Sequence, residues 1–300
     1  MTDPTLPSNS NPSVPARILV FGCGYLGQRV AENAIIAGHQ VFATTRSQAK
    51  ANRLQDGGIE PILADWTDGR TLCRLPPADK ILIAVAYDRH NRHSRYESQV
   101  GGLRQLLASI APDAHVCYIS TTGVYHQTDG SWVDECAPTF PNREGGRVHL
   151  QAESLLHRRR PNSPTTILRL SGIYGPGRVP RAADVIAGRP IASPATGFLN
   201  LIHVDDAAAA VASAWETERR GLYVVSDDQP VIRGHFYQEI AKQTGAPEPH
   251  FVSPNPGAPV RMRSDSNKRI WNRKFKRDLV ARLRFPTYRE GLASVLRDMA

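Results

Sequence analysis

Nothing in the chain reads as a membrane span, because no window approaches the ~18 uninterrupted apolar residues that a bilayer-crossing helix needs. Cysteine is scarce. Cys23, Cys73, Cys117 and Cys136 stand far apart with no C-x-x-C pair, which argues against a zinc site and against a disulfide framework. The opening segment MTDPTLPSNSNPSVPA, residues 1–16, holds no apolar run and is broken by proline, so it reads as a disordered tail rather than a secretory leader and points to the cytoplasm. A G-x-S-x-G nucleophile elbow is missing, as is H-E-x-x-H, so hydrolase and metalloprotease readings lack their usual starting points, and no metal is expected. None of the common nucleic-acid-binding signatures occurs.

What is present is ordinary for a soluble globular protein: 300 residues, 41% hydrophobic and 22% charged, enough to bury a large core. The formal charge of +9 is weighted towards RMRSDSNKRIWNRKFKRDLVARLRF, residues 261–285. That segment either attracts a phosphorylated small molecule or an RNA, or is a solvated face whose Arg and Lys stems cover apolar surface. Nucleic acid is the weaker of these readings.

Strand-like and helix-like segments alternate from residue 17 to about 225. ARILVFG (16–22), QVFATT (40–45), IEPILAD (59–65), KILIAVA (80–86), HVCYIS (115–120), TTILRLS (165–171) and GLYVVSDD (221–228) are short, nearly continuous apolar runs. Between them lie helical patterns, such as GYLGQRVAENAIIAG (24–38) with Leu26, Val30, Ala34 and Ile35 on one face, and SRYESQVGGLRQLLASI (94–110). Continuous apolar strands separated by helices predict an α/β fold with a doubly wound parallel sheet. The expected division is a dinucleotide-binding part over 17–171, to which 200–228 returns, and a smaller interleaved substrate-binding part over 172–199 and 229–300.

FGCGYLGQ supplies Gly22, Gly24 and Gly27 as G-x-G-x-x-G between the first strand and the first helix, the context in which the motif is specific for a dinucleotide. The backbone of Gly24, Tyr25 and Leu26 then offers free N–H groups to a pyrophosphate at the helix N-terminus. About 20 residues on, where an NAD site usually carries a carboxylate for the ribose 2′-OH, the chain has Thr44, Thr45 and Arg46. A guanidinium suits a 2′-phosphate, so NADP is favoured over NAD. Asp65, with Trp66 beside it, either accepts a bond from the adenine amino group or caps a helix.

Together FGCGYLG, Ala64–Asp65, YISTTGVY (118–125), LRLSGIYGPGR (168–178), NLIHVDDAA (200–208) and YVVSDD (223–228) resemble the extended short-chain dehydrogenase/reductases, also called NAD(P)-dependent epimerase/dehydratases. GCGYLG, NKRIWN (267–272) and PTYREGL (286–292) look closer still to an atypical branch, the bacterial YeeZ-like group. The resemblance implies a nucleotide site at the carboxyl ends of the strands, where Ala84, Val85 and Ala86 close the fourth, and a small-molecule substrate beneath the C-terminal part, sugar- or nucleotide-linked. A homodimer is compatible with it.

The resemblance also implies a Ser or Thr after the fifth strand and, some two dozen residues later, a Tyr-x-x-x-Lys dyad. A phenol of pKa ~10 needs a nearby cation to move protons near neutrality. Thr121 stands at the first position. Counting on, the tyrosine falls at Gly145 and the lysine at His149, and no Tyr-x-x-x-Lys occurs anywhere in the chain. His149 is either an acid or base in place of the dyad or an ordinary helical residue, on a polar face shared with Arg147, Glu153 and His157. Tyr125 either packs with its hydroxyl bonded or borders the substrate. Arg147, Arg178, Lys268 and Arg269 are candidate partners for a substrate anion. Asp205 and Asp206, after His203, are expected to cap a helix. Three readings follow: an oxidoreductase or epimerase, a non-catalytic NADP sensor or scaffold, and, more weakly, an RNA-associated protein.

Overall fold

The computed structural model describes residues 15–90, 92–253 and 266–297. All but the last two residues of the expected N-terminal tail, and the start of the basic segment, lie outside that range. Seven strands form one parallel sheet: β1 (Arg17–Phe21), β2 (Gln40–Thr45), β3 (Glu60–Leu63), β4 (Lys80–Ile83), β5 (His115–Thr121), β6 (Thr165–Leu170) and β7 (Gly221–Val225), in the order β7-β6-β5-β4-β1-β2-β3. The expected α/β, doubly wound architecture is thus the observed one. β1 pairs with β2 on one side and β4 on the other, so the strand order reverses there and leaves a crevice at the carboxyl ends.

The strands are continuous apolar runs because both faces are covered. On one face pack α1 (Tyr25–Ile36), through Leu26, Val30 and Ala34, and the alanine-rich α5 (Val204–Glu216). On the other pack α3 (Gly102–Ser109) and α4 (Glu144–Arg159), through Leu103, Leu106, Val148, Ala152, Leu155 and Leu156. The small residues of α5 allow it to lie close against α1. A helix not anticipated above, α2 (Gln48–Asp56), is capped by Ser47, whose side chain accepts from the Lys50 N–H.

The helix expected over 94–110 is two pieces: a π-helical turn, Glu97–Gly101, running into α3. A Cβ on Gly102 would lie 2.6 Å from the Trp66 ring, so the helix comes down onto the indole at the junction of the two pieces. Strands 3 and 4 stop at Leu63 and Ile83, short of the expected ends, and the released backbone forms the rim of the crevice.

After β6, short strands and helices form a third apolar cluster around Tyr174, Ile191, Phe236, Ile240, Tyr288 and Leu292. Two longer helices, α6 (Arg233–Thr244) and α7 (Tyr288–Leu296), carry most of it, and α7 opens with a capping box between Thr287 and Glu290. No helix among the described residues is long and apolar enough to cross a membrane.

Candidate cofactor and substrate site

The turn between β1 and α1 is built by its glycines. Gly22 has φ +96, and a Cβ there would stand 2.7 Å from the Ala84 carbonyl carbon. A Cβ on Gly27 would be 2.5 Å from the Gly22 carbonyl oxygen. Both positions therefore exclude side chains on steric grounds. Gly24 is different: it is exposed and a Cβ would meet nothing within 4 Å. The open space faces the N-terminus of α1, which has no side-chain cap. A bare helix N-terminus beneath an open glycine fits a pyrophosphate. Ala84, Val85 and Ala86 form the opposite rim, with the Ala84 N–H bonded to the Phe21 carbonyl at 2.9 Å. Tyr25 reaches across to donate to the Pro176 carbonyl at 3.0 Å, and the Arg178 guanidinium lies 5.3 Å from its ring centre. Arg178 thus belongs to the glycine turn.

At the end of β2, Thr44 accepts from the Gly22 N–H at 3.2 Å and Thr45 accepts from the Ser47 N–H at 3.2 Å, so both hydroxyls hold the loop. Arg46 is half-exposed and reaches Asp88 at 3.0 Å and Asp65 at 3.9 Å. The His90 N–H and this guanidinium together hold the Asp88 carboxyl below the usual range. Asp65 caps no helix: one oxygen accepts from the Thr67 N–H (2.9 Å) and hydroxyl (2.7 Å) in a local turn, and the short 3₁₀ helix that follows, Gly69–Arg74, is capped by Asp68. Trp66 corrects the expectation of a residue beside the adenine, since its ring is 3% exposed and stacks on Phe21 at 5.8 Å in the core. A second cation, Lys50, bonds the Cys23 carbonyl inside the glycine turn. Sequence reading passed over Lys50 because α2 was not recognised.

At the carboxyl end of β5, Thr121 accepts from the Gly123 N–H at 3.0 Å and so caps the short 3₁₀ turn Thr122–Val124, leaving its own proton to donate. The start of α4 sits on that turn at Gly146, where a Cβ would be 2.5 Å from the Gly123 carbonyl. Gly145 has no tyrosine to offer; Arg95 fills the neighbouring space, its Nη1 3.6 Å from where a Cβ would stand. Arg95 also lies 4.4 Å over the Tyr87 ring and pairs with Glu144 at 3.3 Å.

His149 has one ring nitrogen engaged and is held neutral. Its Nδ1 bonds the Tyr118 hydroxyl at 3.1 Å, and burial, with Arg95 nearby, pushes its pKa down to about 4. Glu153 leaves the polar face to which the periodicity assigns it. It is 5% exposed, accepts from Ser120 at 2.5 Å and forms two bonds with Arg169, at 3.0 and 2.6 Å. Arg169 in turn donates to the Tyr125 hydroxyl at 2.9 Å, and burial pushes that phenol up to about 12. These pairings join residues far apart in sequence, which is why no local pattern announces them. Arg147 is exposed and bonds its own loop, the Asn142 carbonyl, at 2.8 Å.

Lys268 and Arg269 part company. Arg269 is spent on the Gly130 carbonyl at 2.7 Å, between the Trp132 and Phe198 rings. Lys268 is 5% exposed and lines a small cavity with Gly123, Tyr125, His126, Asn142 and Arg143. Among the expected aspartates, Asp206 accepts the Arg284 and Phe285 N–H groups at 2.7 and 3.0 Å, and Asp205 pairs with Arg29 at 2.9 Å. Both are structural.

Comparison with known proteins is consistent with this geometry. The model of the NAD dependent epimerase/dehydratase family matches residues 18–225. Protein YeeZ of Escherichia coli (strain K12) is 27% identical over 245 residues, 78% of this chain and 86% of that protein. A 3-diazoavenalumate denitrifying reductase of a Streptomyces sp is 27% identical over 280 residues, 79% of this chain and 84% of that one. The solved structure of a functionally unknown conserved protein from Silicibacter pomeroyi is 29% identical, with a TM-score of 0.77, covering 95% of this chain and 99% of that one.

Proposed function

The chain belongs to the NAD dependent epimerase/dehydratase family, and from that premise we propose that it is an NADP(H)-dependent oxidoreductase acting on a small carbonyl or alcohol without the Tyr-x-x-x-Lys dyad. The observation that carries the reading is the glycine turn at the strand-order reversal: two glycines closed by backbone and one left open before an uncapped helix N-terminus. A reductase among its relatives favours hydride transfer over epimerisation.

Gly24, Tyr25 and Leu26 would hold the pyrophosphate through backbone N–H groups. Ala84, Val85, Ala86 and the backbone at Asp65 and Trp66 would border the adenosine half. Arg46 and Lys50 would meet a 2′-phosphate, which carries more charge than the Asp88 carboxylate and competes with it for the guanidinium. The bound nicotinamide supplies or accepts the hydride. Thr121 would donate to the carbonyl oxygen, and Arg95, beside Gly145, would supply the positive charge that the dyad's lysine supplies in relatives. A second reading, a protein that holds NADP without turnover, draws on the same vacancy at Gly145 and on the neutral His149.

The test is a thermal-shift comparison of NADP⁺, NADPH, NAD⁺ and NADH on the purified protein, since a ligand that binds only the folded state raises its apparent stability. The phosphorylated pair should give the larger shift. Arg46→Ala should weaken that pair by roughly ten-fold or more, as expected for a charge-assisted phosphate contact, and leave NAD(H) unchanged. Equal shifts for all four nucleotides, or an equal loss for all four in the variant, would end the NADP assignment. NADPH oxidation with a panel of small carbonyl compounds then separates the enzyme from the holding protein.

A further inference from the structure

Arg178 comes from the C-terminal part, yet it stands beside the cofactor turn. The chain leaves the short strand Gly172–Tyr174 and reverses at once through Gly175, Pro176 and Gly177. Two backbone bonds close the reversal: the Arg178 N–H donates to the Gly175 carbonyl at 2.9 Å, and the Gly175 N–H to the Arg178 carbonyl at 3.2 Å. Gly175 is required by close approach, because a Cβ there would lie 2.7 Å from the Tyr25 hydroxyl and 2.8 Å from Val204 Cγ1. The reversal therefore seats directly on Tyr25, the first residue of α1, whose hydroxyl donates to the Pro176 carbonyl at 3.0 Å. That seat holds the exposed Arg178 guanidinium 5.3 Å from the Tyr25 ring centre.

The other cations around the turn are engaged. Arg29 meets Asp205 at 2.9 Å and Glu32 at 3.6 Å, Arg46 meets Asp88 at 3.0 Å, and Lys50 donates to the Cys23 carbonyl. Among the described residues no carboxylate pairs with Arg178, and the first turn of α1 carries no acidic side chain. A helix N-terminus supplies the equivalent of about half a positive charge. The diphosphate of a dinucleotide brings about two negative charges, so the backbone N–H groups of Gly24, Tyr25 and Leu26 leave most of it uncompensated. A guanidinium suits the remainder, since it can offer two parallel N–H donors to phosphate oxygens.

We propose that Arg178 is the counter-charge of the cofactor's diphosphate, carried onto the cofactor turn by the Gly-Pro-Gly reversal of the C-terminal part. That role rests on the dinucleotide site of the preceding section but not on its choice of NADP, because the diphosphate is common to both cofactors. The two arginines then have different duties. Arg46 would read the 2′-phosphate, and Arg178 the bridge that every dinucleotide has. The same contact ties the two parts of the chain together, since a cofactor held by Arg178 is held by the C-terminal part as well as by the sheet.

The experiment measures binding of NADP⁺, NADPH, NAD⁺, NADH and ADP-ribose to the full-length protein by calorimetry, at low and at high ionic strength. ADP-ribose keeps the diphosphate and lacks the nicotinamide. Arg178→Met keeps an apolar stem over Tyr25 and should weaken all five ligands by a similar factor, roughly ten-fold, as expected for a hydrogen bond to a charged group. It should also make binding less dependent on salt, since one screened contact is gone. Arg178→Lys should recover part of the affinity and of the salt dependence. Tyr25→Phe loosens the seat of the reversal but keeps the cation, so its salt dependence should stay that of the wild type. Unchanged affinities in Arg178→Met overturn the proposal. So does a loss confined to the phosphorylated pair, which places Arg178 at the 2′-phosphate, or a loss spared in ADP-ribose, which places it at the nicotinamide. A loss in Arg178→Met that leaves the salt dependence unaltered assigns the residue to holding the reversal and also overturns it. A wild type that prefers neither cofactor, with Arg178→Met still weakening both, refutes the NADP reading and supports this one. A wild type that binds none of the five ligands refutes both.

Discussion

Glu153 and Arg169 are each less than a tenth exposed and meet in a two-pronged pair, with Ser120 and Tyr125 on its two ends. Such a pair contributes little against an apolar replacement, but removing one partner strands the other charge in the core. Glu153→Leu and Arg169→Met should therefore each destabilise the protein by about 3–5 kcal/mol in urea unfolding. The double variant should cost clearly less than the sum, with a coupling of about 1–3 kcal/mol, because it leaves no unpaired charge. Additive losses would mean that the two residues do not depend on one another. The functional stake is Tyr125, which lines the small cavity beside Gly123 and Lys268 and whose hydroxyl accepts from Arg169. The two positions left empty by the dyad, Gly145 and His149, were found by counting along the chain. Glu153 could not be found that way, since its helical position is polar by periodicity and only the arginine on β6 draws it inward.

Gly101 and Gly102 pose an element-scale question that the helical pattern alone does not resolve. Both have helical backbone angles, so alanine should be tolerated or favoured at either by propensity. Their surroundings differ: a Cβ on Gly101 meets nothing within 4 Å, whereas one on Gly102 lies 2.6 Å from the Trp66 indole. Gly101→Ala should raise stability by about 0.5–1 kcal/mol through propensity and the loss of unfolded-chain freedom. Gly102→Ala should lower it by about 1–3 kcal/mol through overpacking, with Trp66 fluorescence altered. Equal effects at the two sites would show that helix α3 does not rest on the indole. The same contrast explains what was legible. The seven strands stood out because each is a continuous apolar run. Helix α2 did not, since only Ala51 and Leu54 are buried on it. The close seat of Gly102 on Trp66 was invisible because the indole lies in another segment.

Across the whole molecule, burial sets the charge state of several groups, and the folded chain should register this as acid sensitivity. His115 and His203 sit in the core and His149 is half-buried on α4, and each is pushed down to about 4 by burial, from an ordinary 6.5. Between those limits the unfolded chain holds protons that the folded chain refuses. The stability each contributes is complete above pH 6.5 and is lost as pH falls towards 4, at up to about 1.4 kcal/mol per pH unit per histidine. Glu135, Asp206 and Asp227 work in the opposite sense, since burial raises them and favours the folded state in acid. Total unfolding energy therefore mixes signs, and a single-site difference is the cleaner measurement. His149→Asn keeps a polar group near Tyr118 and removes the titration. Its unfolding free energy, followed from pH 7.5 to 4.5, should fall less steeply than that of the wild type, the gap closing or reversing as pH drops. Parallel curves would mean that His149 binds protons in the folded protein as it does in the unfolded chain. That outcome would restore a group that titrates near neutrality at the position of the missing lysine.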